Sequence, residues 1–421
     1  MVFYVIFDII KNMETKSLVK KFIFEKDLDF AKKIKEMAEK NDIWFDSTQK
    51  LYEAMAQEKI TGFSVPAVNI RTLTFDTAKT AFRLMKEKNV GICIFELARS
   101  ESKYTDQTMS EYAIVIMAAA IEENYSGPIF IQNDHCQIKA DKFFNPDKKN
   151  EEIASLKSYI RSSVESGVYN VDIDASTLVR PSETALDAQQ HHNYTQTAEF
   201  TEFIRSIEPS GITISIGGEI GEIGGKNSTP EEFEAFINGY KNSLPKEIKG
   251  IIKVSVQTGA SHGGIILNDG TRAETKIDLD VLEKISKEAK KYDLAGTVQH
   301  GASTLSENYF DLFPKKKCVE VHLATIFQDV VYDNLQKKIK EKMYDWCRNN
   351  CPEEKAPGMT DEQFLMKARK KALGPFKKEL WDLPESELEK IKEKLKEKFS
   401  LFFEKLGVCQ TADKIREIYK R

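Results

Sequence analysis

The chain has 421 residues, of which 41% are hydrophobic and 30% charged, and its formal net charge at pH 7 is −4. These values are ordinary for a soluble protein with a sizeable core, and the near balance of charge argues against nucleic acid or an anionic membrane as a partner. The six cysteines are scattered, without a CxxC pair or a secretory signal, so we expect a reducing, cytoplasmic location.

The N-terminal segment, residues 1–60, is predicted to be helical. Residues 1–12 are apolar, but they are too short to span a bilayer and lack the basic region and cleavage site of a signal peptide. Met13 is an equally plausible start. Residues 14–59 have a helical pattern, in which Trp44 and Phe45 offer an anchor.

From residue 61 to residue 330, short β-branched or apolar runs alternate with helix-length segments. Eight such runs predict an α/β fold, a closed (β/α)8 TIM barrel with right-handed crossovers. A doubly wound open sheet is the alternative, but eight runs that mostly end in polar residues favour the barrel. The predicted strands are residues 62–69, 91–96, 128–133, 169–173, 212–216, 251–256, 294–299 and 318–323.

Two connections and the C-terminal region complete the predicted architecture. Residues 177–201 are polar enough to be a loop over the mouth of the barrel. Residues 224–231 form a second predicted loop, and a helix should begin at Thr229-Pro230. Residues 331–421 are predicted to be a helical C-terminal extension, whose charged amphipathic helix at 387–405 is either a solvated face or the arm of a homo-oligomer.

Three of the six histidines each follow a predicted strand and precede polar or glycine-rich sequence: His135, His262 and His300. The C-terminal ends of barrel strands are where this fold keeps its catalytic residues. Three neutral imidazoles brought together there would leave an open position on a zinc ion, as a catalytic site requires. Imidazole ligands also suit other divalent transition metals.

Asp134 directly precedes the first of these histidines, so its carboxylate could exchange a proton with a metal-polarised substrate. The alternative is a histidine that caps the strand beside a solvated aspartate. His262 and His300 lie in glycine-rich turns, where Gly263, Gly301 and Ser303 could donate to an anion. These could equally be tight turns with incidental histidines.

Several other polar residues lie near predicted strand ends. Glu219 and Glu222 follow the fifth strand and could be an alternate metal position or orient a ligand imidazole. Asp172 and Asp174 share one strand face, and Asp174, nearer the rim, is the better candidate. Solvated rim charges are the alternative for all four. We expect His191 and His192 to be loop residues and His322 to be buried within the eighth strand.

Taken in order, these motifs resemble the class II, metal-dependent aldolases over residues 60–330. Asn133-Asp134-His135-Cys136 resembles the aspartate-histidine motif of that family, and Ile173-Asp174-Ala175-Ser176 resembles its fourth-strand aspartate motif. Glu219-Ile220-Gly221, Ala260-Ser261-His262-Gly263 and His300-Gly301-Ala302-Ser303 are similar to its later site motifs, and Val65-Pro66-Ala67-Val68-Asn69 looks like its first strand. The ordered set is more specific than any single motif.

The resemblance implies a zinc or similar divalent ion bound by His135, His262 and His300, which would polarise a ketose carbonyl and stabilise an enediolate. Asp134 would exchange a proton with the hydroxyl that becomes the aldehyde, and Asp174 and Glu219 would help to position the metal. The partner would be a small sugar phosphate, in contact with Asn69, Gly263, Gly301, Ser303 and Thr325. The implied reaction is aldol cleavage of fructose 1,6-bisphosphate, or secondly of tagatose 1,6-bisphosphate.

The chain departs from the family pattern at the residues that would bind phosphate. The family usually ends its eighth strand with Asn-Ile-Asp-Thr-Asp, whereas this chain has His322-Leu323-Ala324-Thr325-Ile326 and keeps only Thr325. The third glycine turn reads Ala302-Ser303-Thr304 in place of Gly-Ser-Gly. A metal-dependent epimerase of a less phosphorylated sugar and a non-catalytic aldolase-related subunit therefore remain alternatives.

Overall fold

A computed structural model describes residues 15–221, 225–260, 263–273 and 275–420. Nine parallel strands form one sheet, and the pairing of β4 with β5 closes eight of them, β2 to β9, into a (β/α)8 TIM barrel. Each of the eight predicted strands overlaps one barrel strand, so the predicted fold is confirmed. The strands are β1 Ile43–Asp46, β2 Val65–Asn69, β3 Ile94–Ala98, β4 Gly127–Gln137, β5 Asn170–Asp174, β6 Ser215–Glu219, β7 Lys253–Val256, β8 Thr297–Gln299 and β9 Cys318–Leu323.

Helices cover the outside of the barrel and make up most of the N-terminal and C-terminal regions that flank it. Among the described residues, no helix is long and apolar enough to cross a membrane. The helices are α1 Thr15–Glu25, α2 Leu28–Lys40, α3 Gln49–Ala56, α4 Thr74–Glu87, α5 Arg99–Tyr104, α6 Met109–Glu122, α7 Ala140–Phe143, α8 Pro146–Glu165, α9 Leu186–Ser206, α10 Pro230–Ser243, α11 Leu279–Lys290, α12 Leu312–Lys315, α13 Thr325–Asn334, α14 Lys337–Asn350, α15 Asp361–Ala368, α16 Lys377–Trp381, α17 Glu385–Lys405 and α18 Ala412–Ile418.

The prediction that residues 14–59 are all helical is wrong at β1. This short strand contains Trp44 and Phe45 and pairs with the first residues of β4, from Ile43 opposite Gly127 to Asp46 opposite Phe130. β4 is long enough to extend beyond its barrel partners, and β1 pairs with this extra length. Aromatic and β-branched residues such as those of β1 favour a strand. Strand pairing therefore overrides the local helical pattern.

The prediction of a loop over residues 177–201 is also wrong, because most of this segment lies in α9. Polar side chains on the inner face of the helix bond to the end of β6: Gln190 donates to the carbonyl of Ile220, and Asn193 to that of Glu219. The polar sequence suggested solvent exposure, but these side chains satisfy buried backbone carbonyls.

The predicted start of a helix at Thr229-Pro230 is confirmed by α10. Thr229 and Glu232 form a reciprocal capping box, with Pro230 at the first helical position. The C-terminal extension is helical, as predicted, and α17 covers the predicted amphipathic helix. The boundary expected at residues 330 and 331 falls inside α13, which connects β9 directly to the extension.

The barrel interior contains a buried polar network. The Lys253 amine lies 2.9 Å from Gln132 Oε1, 3.0 Å from Asp172 Oδ1 and 2.5 Å from Glu320 Oε1. Tyr52, on α3, donates its hydroxyl proton to Glu320. Two carboxylates and an amide oxygen therefore surround the one ammonium group, as a buried cation requires.

Candidate metal centre and substrate cleft

The C-terminal ends of the barrel strands open into a cleft of about 1310 Å³. Residues from β3, β4 and β9 and from the turn after β8 line it, and the C-terminal extension forms part of its wall. Asp134, His135 and His300 all line this cleft, so the fold brings these three predicted site residues together.

His135 lies near the end of β4 in a left-handed backbone conformation, with φ of 43°. Such a φ is uncommon for a residue with a Cβ, and here the register between β4 and β5 shifts over Asn133 to Cys136. Nδ1 of His135 lies 3.2 Å from a carboxylate oxygen of both Asp174 and Glu219. These two acids hold the imidazole so that Nε2 faces the cleft, an arrangement common to metal-binding histidines.

The second imidazole of the site is that of His300, which is 2% exposed at the end of β8. Its Nδ1 lies 2.5 Å from Nε2 of His135. Asp134 Oδ1 lies 3.9 Å from Nδ1 of His300 and 3.7 Å from Nε2 of His135. His262, the third predicted ligand, and Glu222 lie outside the described residues.

The acids beside His135 have opposite pKa shifts. Burial, then the charge of Asp174, raises the pKa of Glu219 to about 8. Burial also acts to raise the pKa of Asp174, but hydrogen bonds from His135, Ser176 and Gln137 outweigh it and lower that pKa. Burial lowers the pKa of His135, and the charges of Asp134 and Glu219 reverse this effect, so the net pKa lies well above its usual value.

The donor set of this site fits a divalent transition metal. Two imidazole nitrogens converge at the floor of the cleft, and His135, Asp174 and Glu219 offer ligand atoms within 4.8 Å of one another. Glu219 Oε1 is buried and has no hydrogen-bond partner among the described residues. Imidazole and carboxylate ligands together suit zinc and its neighbours in the periodic table.

The chain matches the family described as fructose-bisphosphate aldolase class-II over residues 46–402. The chain belongs to the class II fructose-bisphosphate aldolase family. The match also includes most of the C-terminal extension, so this region is largely shared with the family. No curated protein matches the sequence significantly.

Solved structures of low sequence identity share the barrel fold. A fructose-bisphosphate aldolase from Campylobacter jejuni is 15% identical, with a TM-score of 0.54, and the match covers 87% of this chain and 96% of that one. A probable tagatose 6 phosphate kinase from Sinorhizobium meliloti is 13% identical, with a TM-score of 0.56 and coverage of 85% and 99%. At these identities the likeness shows the fold alone.

The residues expected to contact substrate occupy two environments in this aldolase barrel. Gly263, Gly301, Ser303 and Thr325 line the cleft, and Ser303 Oγ accepts a hydrogen bond from the backbone N–H of Ala324. Asn69 is buried behind the wall of the cleft, where its amide donates to Glu101 at 2.5 Å.

The predictions from sequence missed His322 as a cleft residue. His322 lies in β9, is 4% exposed and stacks on His300. Although it lies within 4.8 Å of Asp134, Asp172 and His300, its Nδ1 faces Glu96 at 2.9 Å and its Nε2 faces Glu320 at 2.7 Å. Both nitrogens therefore face carboxylates, and we assign His322 to the core network and not to the metal.

His191 and His192 lie on α9 and are not among the residues that line the cleft. Nδ1 of His191 lies 2.9 Å from the Tyr194 hydroxyl, and the ring of His192 packs against Phe143 and Phe144. They therefore remain outside the candidate site, but on a helix and not on the predicted loop.

The predictions also missed the cations of the cleft and the wall that the extension builds. Arg71 lines the cleft and forms a salt bridge with Glu101 at 2.6 Å. Met359, Gln363, Met366, Lys367 and Lys370 of the extension line the opposing wall. No sequence pattern marks these residues, because their positions depend on how the extension folds back over the barrel.

Proposed function

We propose that this chain is a divalent-metal-dependent aldolase that cleaves a ketose 1,6-bisphosphate into dihydroxyacetone phosphate and glyceraldehyde 3-phosphate. Fructose 1,6-bisphosphate is our first choice of substrate and tagatose 1,6-bisphosphate our second. The observation that carries the proposal is the convergence of the His135 and His300 nitrogens beside Asp134 at the floor of the cleft.

His135 and His300 would hold the metal, together with His262 as the sequence predicts. When bound, the ion would supply Lewis acidity at the substrate carbonyl. Asp174 and Glu219 fix the ring of His135 through Nδ1, so that Nε2 stays directed at the cleft. Glu219 and Asp174 would also be the alternate carboxylate positions for the metal.

Asp134 would move the proton. Its carboxylate lines the cleft, is 6% exposed and lies within 4 Å of both ligand imidazoles. From this position it would accept the proton of the substrate hydroxyl that becomes the aldehyde when the carbon–carbon bond breaks, and return it in the reverse reaction. Proton transfer by a positioned carboxylate is ordinary general acid–base catalysis.

The alternative enzyme is an epimerase of a less phosphorylated sugar. It is favoured by the β9 end, where Ala324 has no polar side chain to offer a phosphate. A non-catalytic subunit is disfavoured because Asp134, His135 and His300 meet at one place with the acids that orient them.

The test is a coupled cleavage assay on the purified, zinc-loaded protein, with each bisphosphate and with and without EDTA. We expect triose phosphate release that EDTA abolishes and zinc restores. Absence of cleavage by a protein that holds one metal per chain would reject the aldolase proposal and favour the epimerase. We place the activity in the cytoplasm, since all six cysteines are free.

A further inference from the structure

A second cavity, of about 630 Å³, opens at the opposite end of the barrel from the cleft. Its lining residues lie within 49–57, 237–252 and 292–294, so they come from α3, the end of α10 and the segments that precede β7 and β8. Segments that precede parallel strands lie at the N-terminal mouth of a barrel, and the catalytic loops of this fold lie at the other mouth. The volume is typical of small-molecule sites. This cavity, which we call the basal pocket, is therefore separate from the metal centre.

The wall of the basal pocket is largely apolar and aromatic. Ile237, Leu244 and Ile251 line it, and all three are buried. Tyr240 and Tyr292 add two rings, and the Tyr240 hydroxyl already accepts a hydrogen bond from the N–H of Ile251 at 3.0 Å. Aromatic rings pack favourably against other rings as well as against aliphatic side chains. The wall therefore suits a ligand with a small aromatic body.

Gln49 brings an unsatisfied hydrogen-bond acceptor to the basal pocket. Its side chain lines the cavity, and the residue is 3% exposed. The amide nitrogen donates to Oε1 of Glu53 at 3.0 Å, but Oε1 of Gln49 is buried and receives no hydrogen bond from the described residues. Because buried polar atoms are nearly always hydrogen-bonded, this oxygen is suited to a donor N–H or O–H of a ligand.

The rim of the basal pocket carries one positive charge in excess. Three exposed lysines line the pocket against two acids, Glu53 and Asp293. Lys249 pairs with Glu53 at 2.7 Å, whereas no ion pair joins Lys241 or Lys246 to an acid in the described part of the chain. Complementary charge favours the encounter with an oppositely charged ligand. The rim therefore matches a ligand with a single negative charge.

Helix α3 also connects the basal pocket to the interior of the barrel. Tyr52 lies on the same helix as Gln49 and donates its hydroxyl proton to Glu320. Glu320 in turn faces Nε2 of His322 at 2.7 Å, and the ring of His322 stacks on that of His300. A ligand bound against α3 is therefore joined to the metal site by a continuous series of side-chain contacts.

We propose that the basal pocket binds a small aromatic monocarboxylate that carries a hydroxyl or amine, and that this ligand is an effector of the metal site. The ring would lie on the apolar wall, the hydroxyl or amine would donate to Gln49, and the carboxylate would lie among the rim lysines. This inference goes beyond the proposed function, because the pocket lies outside the cleft.

The test is a fluorescence titration of the metal-free, full-length protein with anilinonaphthalene sulfonate, which combines aromatic rings, one N–H donor and one negative charge. Ala56, the last residue of α3, lines the pocket and is partly exposed, so Ala56→Leu fills the pocket without removing a core side chain. Ala54→Leu is the matched control, because Ala54 is also partly exposed on α3 but does not line the pocket.

We expect one probe per chain, which para-hydroxybenzoate displaces. Ala56→Leu should weaken probe binding about 10-fold or more, because loss of well-packed contacts of this size costs at least that factor, and Ala54→Leu should match the wild type. Equal probe affinities of Ala56→Leu and Ala54→Leu, or failure of para-hydroxybenzoate to displace the probe, would overturn the proposal.

Gln49→Met tests the hydrogen bond of the ligand. The wild type should bind para-hydroxybenzoate about 5- to 10-fold more tightly than benzoate, the effect of one hydrogen bond. Gln49→Met keeps the size of the side chain and removes the acceptor, so this preference should disappear. The ratio is measured within one variant and does not depend on how much of it is folded. An unchanged ratio in Gln49→Met would overturn the assignment of the acceptor.

The effector role is tested by the same titration of the zinc-loaded protein. A ligand that alters zinc binding must itself bind with a different affinity when zinc is present, typically by about 5-fold or more. We expect this change for the wild type and its loss in Tyr52→Phe, which lacks the bond to Glu320. Equal probe affinities with and without zinc in the wild type would overturn the effector role. No arm measures cleavage, so failure of the aldolase proposal would leave these results unchanged.

Discussion

The imidazole rings of His300 and His322 stack with their centroids 3.9 Å apart and their planes 22° from parallel. The two rings nevertheless have different partners. Both nitrogens of His322 face carboxylates, those of Glu96 and Glu320, whereas Nδ1 of His300 faces His135. One ring therefore belongs to the polar core of the barrel, and it packs against the other ring, which belongs to the candidate metal site.

Removal of either described ligand histidine should remove the metal. His135→Ala and His300→Ala are expected to purify with less than about a tenth of the wild-type metal content, because loss even of a residue that only orients a ligand typically costs about 10- to 100-fold in affinity. Metal analysis after gel filtration, paired with the cleavage assay, measures both losses. His191→Ala, a control outside the cleft, should keep full metal. Full metal and activity in His300→Ala would disprove the site.

Asp134→Ala should separate metal binding from turnover. The carboxylate lies 3.7 Å from Nε2 of His135. We propose that it transfers a proton and does not hold the metal, so its loss should leave the metal content unchanged. We expect kcat to fall by about 10²- to 10⁴-fold, the usual scale for a positioned acid or base. A variant that retained wild-type kcat, or that lost its metal, would contradict this role.

Glu96→Gln should flatten the dependence of stability on pH. Burial, then the charge of Asp134, raises the pKa of Glu96 from an ordinary value of 4.5 to about 8. Between these values the native state binds more protons than the unfolded chain, so this group lowers the free energy of unfolding as the pH rises. Glutamine cannot titrate, so the decline between pH 4.5 and pH 8 should become shallower.

Urea unfolding at four pH values across this window would measure the slope for the wild type and for Glu96→Gln. Glu397→Gln, which changes an exposed glutamate on α17, is the control and should follow the wild type. Parallel curves for the wild type and Glu96→Gln would show that Glu96 is ionised in the native state throughout.

Asp329→Asn should destabilise the fold. The side chain of Arg369 is 3% exposed, and the variant leaves it without its carboxylate partner. Loss of one member of a buried ion pair costs about 3–5 kcal/mol in the free energy of unfolding. Asp345→Asn, which breaks an exposed pair with Arg348, should cost less than about 1 kcal/mol. Equal effects in chemical denaturation would contradict the assignment.

Lys253→Met should be strongly destabilising and should show that this lysine is structural. The side chain is fully buried between Asp172 and Glu320, so the variant leaves two buried carboxylates without their cation. This should lower the free energy of unfolding by about 3–5 kcal/mol. Borohydride treatment with dihydroxyacetone phosphate should trap no adduct on the wild type, because the amine is inaccessible. A trapped adduct at Lys253 would instead indicate Schiff-base chemistry.

The sequence by itself determined the barrel and the places where its chemistry could lie. Alternation of strand and helix patterns is a local property, and a parallel barrel puts every strand end at one mouth, so Asp134, His135 and His300 could be placed together before any coordinates. The same local reasoning failed at β1 and α9, where pairing with β4 and capping of β6 carbonyls outweigh the composition of the segment.

Only the tertiary structure decided which residues surround those histidines. Glu96 lies on β3, whereas Glu320 and His322 lie on β9, far along the chain, so the contact of Glu96 with His322 depends on the register of the closed sheet. The same holds for Arg272 and Arg369, nearly one hundred residues apart, which share Asp329 because the extension folds back over the mouth. Contacts between distant segments produce no periodic pattern in the sequence. Which residues line the cleft and surround its histidines could therefore be seen only in the folded chain.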